Sequence, residues 1–326
     1  MRNPIIGGTV VLLFIVIPLL LLWVDSPYIG RLAQLVLITA ILASALNLLT
    51  GTAGLLAIDA VVYYGLGAYT AAILSVNHGS GFLVDVAVAV TLAGVLSAIV
   101  GYALVRLSSI FFAVATMGLT ICFHTTVLNW GELTRGPMGY RGIPPVRLFG
   151  YELHGWFQSY LAAAVMCFIA LFIAHRLMHS FYGNAVRAAR EDEESARALG
   201  LSSRRLKTEV YVIHAMLMAA AGALYAHTNQ FIGPDNFVLL ESALILIGIV
   251  VGGLGSWPGI VIGALIMVLV PEFLREIGNL RALVFGLVLF FSILFLPRGL
   301  FSEVRALAVF RRTMKGSPWA RREGRS

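Results

Sequence analysis

Charge is what this chain has least of. Only 12% of its residues are Asp, Glu, Lys or Arg, about half the share of a soluble globular domain. With 59% of its 326 residues hydrophobic, a soluble fold offers nowhere to bury the apolar surface, whereas a bilayer supplies the missing apolar solvent. Cysteine is almost absent. Cys122 and Cys167 both lie in apolar stretches, without a partner at metal-ligand spacing. They read as small buried hydrophobes and carry no redox information. There is no G-x-x-x-x-G-K-S/T phosphate loop, so the chain has no nucleotide-hydrolysing site of that kind. There is also no H-E-x-x-H, no G-x-S-x-G and no acid pair with histidine at a membrane boundary, which leaves a membrane-embedded enzyme without its chemistry. No cofactor and no metal are expected.

What remains is apolar helix. A span needs about 20 mostly apolar residues, and ten segments qualify: roughly 5–24, 31–49, 54–76, 84–106, 109–129, 158–178, 208–227, 237–254, 257–274 and 281–297. The first is longer than a signal-peptide core and lacks a small-x-small site before Asp25, so it reads as a retained span. The expected fold class is therefore an all-α, polytopic transmembrane bundle of about ten spans. Placing both termini in the cytoplasm puts 17 of the basic residues inside and leaves 6 outside, the asymmetry of the positive-inside rule. The membrane unit covers 1–300, and a basic tail covers 301–326. That tail suits anionic lipid or plain solvent equally.

Three features break the pattern. The third span is glycine-rich, with Gly54, Gly65 and Gly67, and carries Asp59. The eighth and ninth spans are short and meet at Gly252, Gly253 and Gly255, which fits either a tight hairpin or an unwound segment lining a cavity. Residues 184–207 are dense in charge between two apolar spans. Good helix formers run to Leu199, Gly200 follows as a C-cap, and Arg190 with Glu194 or Glu193 with Arg197 allow pairing one turn apart. Read on composition alone, this charged helix either docks a soluble partner or lies on the membrane without one.

The residues then resemble a known family. Arg187, Ala188, Ala189, Arg190, Glu191, Asp192 and Glu193, with Ala196, Ala198, Leu199 and Gly200, are similar to the coupling segment of the permeases of branched-chain amino acid ABC importers. The likeness continues through Ala220-Ala221-Gly222-Ala223-Leu224-Tyr225-Ala226, Gly252-Gly253-Leu254-Gly255-Ser256 and Arg298-Gly299-Leu300. Upstream it includes Gly51-x-Ala53-Gly54 and Gly65-x-Gly67-Ala68-Tyr69-Thr70-Ala71-Ala72. The stretch Leu128-Asn129-Trp130, Leu133-Thr134, Gly136-Pro137-x-Gly139 and Gly142-Ile143-Pro144 resembles the family's outer loop. That long loop makes the chain more like the LivM-type subunit than its LivH-type partner.

The resemblance implies a bacterial inner-membrane subunit paired with a second, related permease. Two cytoplasmic ATPases would dock on the coupling segments, through Arg187, Arg190, 191–194, Ala198 and Gly200. A periplasmic binding protein would deliver substrate, and no nucleic acid is involved. The chain departs from the family at Leu55, Ala57, Asp59 and Ala60, where Gln, Ser and a Gly-His pair are common, so three polar-capable positions are apolar here and an acid has appeared; it also departs at Leu244, where an acid is common one turn after Glu241. Asp59, Tyr63, Tyr64, Tyr69 and Glu241 are candidates for the translocation path. A carboxylate at membrane depth costs about 2.5–3.5 kcal/mol on insertion scales. Asp59 therefore faces either a cavity or, near the inner boundary, water or a neighbouring subunit; its position favours the boundary reading. His124, His214 and His227 are expected to be satisfied interior histidines. The alternatives are an importer of the same family for another small polar solute, such as urea or an organic acid, and a secondary transporter or channel acting alone.

Overall fold

The structure is a computed structural model and describes residues 26–148, 151–152, 155–255, 257–273 and 286–287. The first expected span, all but two residues of the tenth, and the tail 301–326 lie outside the described residues. So do both termini.

The described chain is predominantly helical. Helix α1 (Pro27–Asn47) runs into a π-helical turn (Leu48–Ala53) and is followed by α2 (Ala60–His78), α3 (Phe82–Leu104) and α4 (Ser109–Asn129). A long connection carries the one-turn α5 (Gly131–Thr134) and the strands β1 (Tyr140–Arg141), β2 (Arg147–Leu148) and β3 (Tyr151–Glu152). Then come α6 (Trp156–Met178), α7 (Phe181–Glu191), α8 (Glu193–Ala198), α9 (Ser203–Asn229), β4 (Phe231–Ile232), α10 (Leu239–Gly252) and α11 (Trp257–Phe273). Six of these helices are long and apolar enough to cross a membrane, and α10 and α11 are shorter apolar helices. Eight of the expected spans thus fall on helices. The fourth helix has the bounds anticipated for it, while the third expected span starts six residues late, at Ala60.

Burial separates the helices by role. In α1 and α9, 72% of the most apolar window is buried, against 28% in α3 and α4. Apolar residues all round a helix suit both a buried core and a lipid-facing rim; here α1, α2 and α9 are the core. Helix α9 packs on α2 and α3, α1 packs on α6 and α11, and α10 pairs with α11.

Small residues set the closest crossing. A Cβ placed on Gly222 of α9 would lie 1.9 Å from the carbonyl oxygen of Tyr64, and one on Gly67 of α2 would lie 2.1 Å from that of Ala219. The two backbones touch there, as membrane helices do where glycine removes the side chain.

The connections alternate between two ends of the bundle. At one end, the α1 terminus, the α3–α4 turn, α7, α8, the start of α9 and the α10–α11 turn gather. The amide of Gly255 donates to Asn47 Oδ1 at 2.7 Å, and Arg204 donates to the Tyr102 carbonyl at 2.7 Å. Gly253 and Gly255 have φ of 113° and 75°, so α10 and α11 form a tight hairpin rather than an unwound span. At the opposite end, β1 pairs antiparallel with β4, Tyr140 facing Ile232, and the family-like loop folds onto itself. The Thr134 hydroxyl donates to the carbonyls of Val127 and Trp130 at 2.6 and 2.7 Å.

Candidate functional site

Three constellations carry the polar chemistry of the described chain. The first is the break between the π-helical turn and α2, residues 54–59. Backbone that leaves helix at membrane depth must find partners in the protein, and here side chains of distant helices supply them. The amide of Ile58 donates to Thr116 Oγ1 at 3.1 Å, and the Thr120 hydroxyl donates to the Ile58 carbonyl at 2.6 Å. The amide of Val61 donates to Ser242 Oγ at 3.0 Å, and Ser109 bridges the Leu56 amide and the Gly54 carbonyl. Gly54 itself has φ of 72° and lies under the Arg190 side chain.

Asp59 closes this segment as the residue before α2 and is completely buried. Tyr211 donates its hydroxyl to Asp59 Oδ2, and Tyr63 donates to the Tyr211 oxygen at 2.9 Å. His214 Nε2 lies 3.7 Å from Asp59 Oδ1, too far for a hydrogen bond. Both ring nitrogens of His214 are buried without a hydrogen-bond partner, so the expectation of a satisfied interior histidine fails for His214. The ring packs instead, stacked with Tyr211 and edge-on to Tyr63. Asp59 is thus buried by its own chain, with Oδ1 left without a hydrogen-bond partner and Oδ2 bonded. It is bonded inside its own chain, because Tyr211 on α9 comes within reach where Gly67 and Gly222 let α2 and α9 close up.

The tyrosines of α2 are all buried. Tyr64 meets Tyr225 and Phe237, each at 5.4 Å between ring centroids, and Tyr69 meets Tyr140 and Phe237. Glu241 is exposed in the first turn of α10, where an acid suits the helix dipole. Gly65 packs against Phe123 and Phe237, and Gly252 against the Gly259 carbonyl; both are close-packing positions.

The second constellation is the charged segment. The sequence suggests one helix from 184 to 199, and the structure corrects this to two. Asp192 leaves helical conformation, with φ of −147°, and its carboxylate accepts from the amides of Glu194 and Ser195 at 3.0 Å each. An Asp caps a new helix better than it continues an old one. The hydroxyl and amide of Ser195, then the amide of Glu194, hold the Asp192 carboxyl below its usual range. The elbow removes the Arg190–Glu194 option, and Arg190 instead donates to the Gly51 carbonyl at 2.7 Å. Glu193 does pair with Arg197 at 3.2 Å and with Lys207 at 3.3 Å. Arg187 donates to the Met178 carbonyl. Gly200, with φ of 82°, ends α8 in a Schellman turn, its amide bonded to Arg197 and that of Leu201 to Ala196. Glu191, Glu194 and Ala198 are exposed. Two large apolar side chains stand out with them, Phe181 at 87% exposure and Leu199 at 80%.

The third constellation sits at the opposite end. His227 Nε2 lies 3.0 Å from Asp85 Oδ2, and its Nδ1 lies 2.9 Å from the Pro144 carbonyl. Ser80 donates to the other oxygen of Asp85. This ties α3, α9 and the long loop together, and it is the satisfied histidine the sequence suggests. Tyr211, Thr116, Thr120 and Ser242 escaped sequence reasoning. The one available signal was a pair of hydroxyls a single turn apart, Thr116 and Thr120, in the apolar middle of α4. No group of three or more His, Cys, Asp or Glu side chains able to hold a metal ion occurs among the described residues.

Comparison with known proteins places these features. The family described as "Branched-chain amino acid transport system / permease component" matches residues 28–293. The high-affinity branched-chain amino acid transport system permease protein LivM of Escherichia coli is 32% identical, over 92% of this chain and 77% of that protein. LivM of Salmonella typhimurium is 31% identical over 84% of this chain and 70% of that protein. LivH of Escherichia coli is 34% identical, but over only 34% of each chain. No solved structure gives a significant match. Matched along most of its length and at this identity, the chain is a multi-pass membrane protein that belongs to the family of branched-chain amino acid transport system permease components.

Proposed function

We propose that the chain is one of two permease subunits of an ATP-driven importer for branched-chain or related amino acids, with both termini in the cytoplasm and about ten spans. The observation that carries this reading is the α7–α8 elbow. It is a charged, capped surface segment projecting Leu199 and Gly200, held to the π-helical turn ahead of the break by the Arg190 bond to Gly51 and packed on Gly54 through the same side chain. Two ATPase subunits supply the hydrolysis that this chain lacks, one docking on this elbow and the other on the second permease. A periplasmic binding protein delivers substrate at the β1–β4 end.

In this mechanism the chain's own groups move substrate without chemistry. Motion of α7 and α8 reaches the 54–59 break through Arg190 and Gly51, and reaches α9 directly through Ser203. Asp59, Tyr63 and Tyr211 act as the latch that holds the break against α9, so the path opens where the latch releases. Tyr64 and Tyr69, buried above the latch, and Glu241, exposed on α10, line the route once open, Glu241 towards the second permease. Related permeases extend to the autoinducer 2 import system permease protein LsrC of Escherichia coli, 28% identical over 60% of this chain. The solute class therefore follows the binding protein rather than the fold.

Charge reversal at Glu191, Glu193 and Glu194 in the reconstituted importer tests the docking. Asp192 is left intact to preserve the cap. Expected is a complex that inserts normally but loses stimulation of ATPase activity by the binding protein; normal stimulation would sink the assignment.

A further inference from the structure

At the α7–α8 end, a cavity of about 600 Å³ opens between the break before α2, the α3–α4 turn, the α7–α8 elbow and the start of α9. Five cations line it, Arg106, Arg190, Arg197, Arg204 and Lys207, with Glu193 as the one acid. Basic residues crowd this end of a membrane protein for topological reasons alone, so the cations by themselves decide nothing. Three further observations are not required by topology.

First, two long helices begin at the cavity wall, α4 at Ser109 and α9 at Ser203, and neither has a side-chain cap. Their first backbone amides have no intrahelical acceptor. Second, α9 has no acid in its first turn. It carries Arg204 there, followed by Lys207, the reverse of what the helix dipole favours. Third, Ser203 is 3% exposed, contributes to the cavity wall, and its hydroxyl has no hydrogen-bond partner. Arg190 and Arg204 are oriented by neutral carbonyl oxygens, of Gly51 and Tyr102, so their charge is not cancelled. Uncapped helix starts and unneutralised guanidinium groups around one polar space form a ready-made anion site.

We propose that this cavity binds a phosphoryl anion. The same chemistry is offered by the headgroup of an anionic phospholipid at the membrane boundary and by a soluble phosphate. Arg106, Arg190 and Arg204 supply charge, the amides at the starts of α4 and α9 supply directed donors, and Ser203 supplies a hydroxyl donor; Lys207 is already paired with Glu193. The site does not depend on the transported solute.

The test is a thermal-unfolding titration of the full-length chain in neutral detergent, with inorganic phosphate as the probe and chloride at equal ionic strength as the control. Expected is a saturable rise in midpoint with phosphate and not with chloride. The Arg106→Gln/Arg204→Gln variant should need about tenfold more phosphate, as loss of two charge-assisted contacts implies. Arg31→Gln, on another part of the bundle, should respond as wild type does. Should the double variant not fold, Ser203→Ala carries the test, with an expected weakening of about threefold.

Native mass spectrometry from nanodiscs separates the two sources. Selective retention of phosphatidylglycerol over phosphatidylcholine, displaced by phosphate, identifies a lipid headgroup; a phosphate response without lipid retention identifies a soluble anion. Equal effects of chloride and phosphate would overturn the proposal. So would a wild-type response in either cavity variant. Loss of ATPase binding in the variants, with no phosphate response in wild type, would overturn it in favour of an acidic protein surface.

Discussion

Gly222→Ala asks whether the α2–α9 crossing is as tight as its geometry says. The added methyl would lie 1.9 Å from the Tyr64 oxygen, 2.8 Å from the Ala68 nitrogen and 2.9 Å from the Tyr64 carbonyl carbon. A relaxed carbon–oxygen contact is about 3.3–3.6 Å, so the two backbones must separate by roughly 1.4 Å or more. No rotamer relieves this, because every atom met is main chain. Overpacking costs about 1–3 kcal/mol and occasionally more, and a clash with rigid backbone belongs at the upper end. At about 2–4 °C per kcal/mol for a chain of this order of size, the unfolding midpoint should fall by roughly 5–10 °C. The separation would also pull Tyr211 off Asp59, so uptake should fall with stability. Gly118→Ala is the matched control. It lies mid-helix on α4 with nothing within 4 Å of the new methyl, and Ala is the better helix former by about 1 kcal/mol. Thermal unfolding in detergent reads both. A Gly222→Ala midpoint indistinguishable from wild type would refute the close crossing.

Other groups give equally direct expectations. Tyr211→Phe leaves a buried Asp59 oxygen and the Tyr63 hydroxyl without their partner and should cost about 1–3 kcal/mol in chemical or thermal unfolding; an unchanged stability would contradict the latch. His227→Phe takes one of two partners from the buried Asp85 carboxylate, leaving only Ser80, and should cost about 1–3 kcal/mol, read in the same way, with an unchanged stability counting against the pair. Asp192→Ala should speed amide exchange at Glu194 and Ser195, while Asp192→Asn should preserve protection. The Asp192 carboxyl is held low by Ser195, so the part of the cap that depends on its charge is fully present above the unfolded value of about 3.9 and is lost as pH falls through the lower folded value. Exchange at Ser195 that ignores both substitution and acid would remove Asp192 as the cap.

Much of this fold was legible in the residues, and what was not has a physical cause. Apolar length marks spans directly, and α4 shows it, because helix, hydrophobicity and turn residues coincide at Ser109 and Asn129. The late start of α2 was hidden. The partners that make residues 54–59 stable outside a helix lie 53 to 62 residues away in sequence, on Ser109, Thr116 and Thr120. Asp59 looked like a boundary acid because span counting sees depth but not neighbours, and Tyr211 is a neighbour only in space. The elbow at Asp192 had a local signal, an Asp followed by two acids and a Ser, outweighed by the helix-forming residues on either side. Gly67 read as a break in the third span; that it sits inside α2 and meets the backbone of α9 opposite Gly222 required the crossing itself.

The central claim is that the α7–α8 elbow is where a cytoplasmic ATPase engages this permease. Leu199, exposed at the tip, is the reporter. In a Cys122→Ser background, Leu199→Cys should react with a membrane-impermeant maleimide only from the cytoplasmic side. In the assembled importer, a short bifunctional reagent should link it to an ATPase subunit. Labelling from the opposite side, or cytoplasmic labelling without any cross-link to the ATPase in an active complex, would contradict the account.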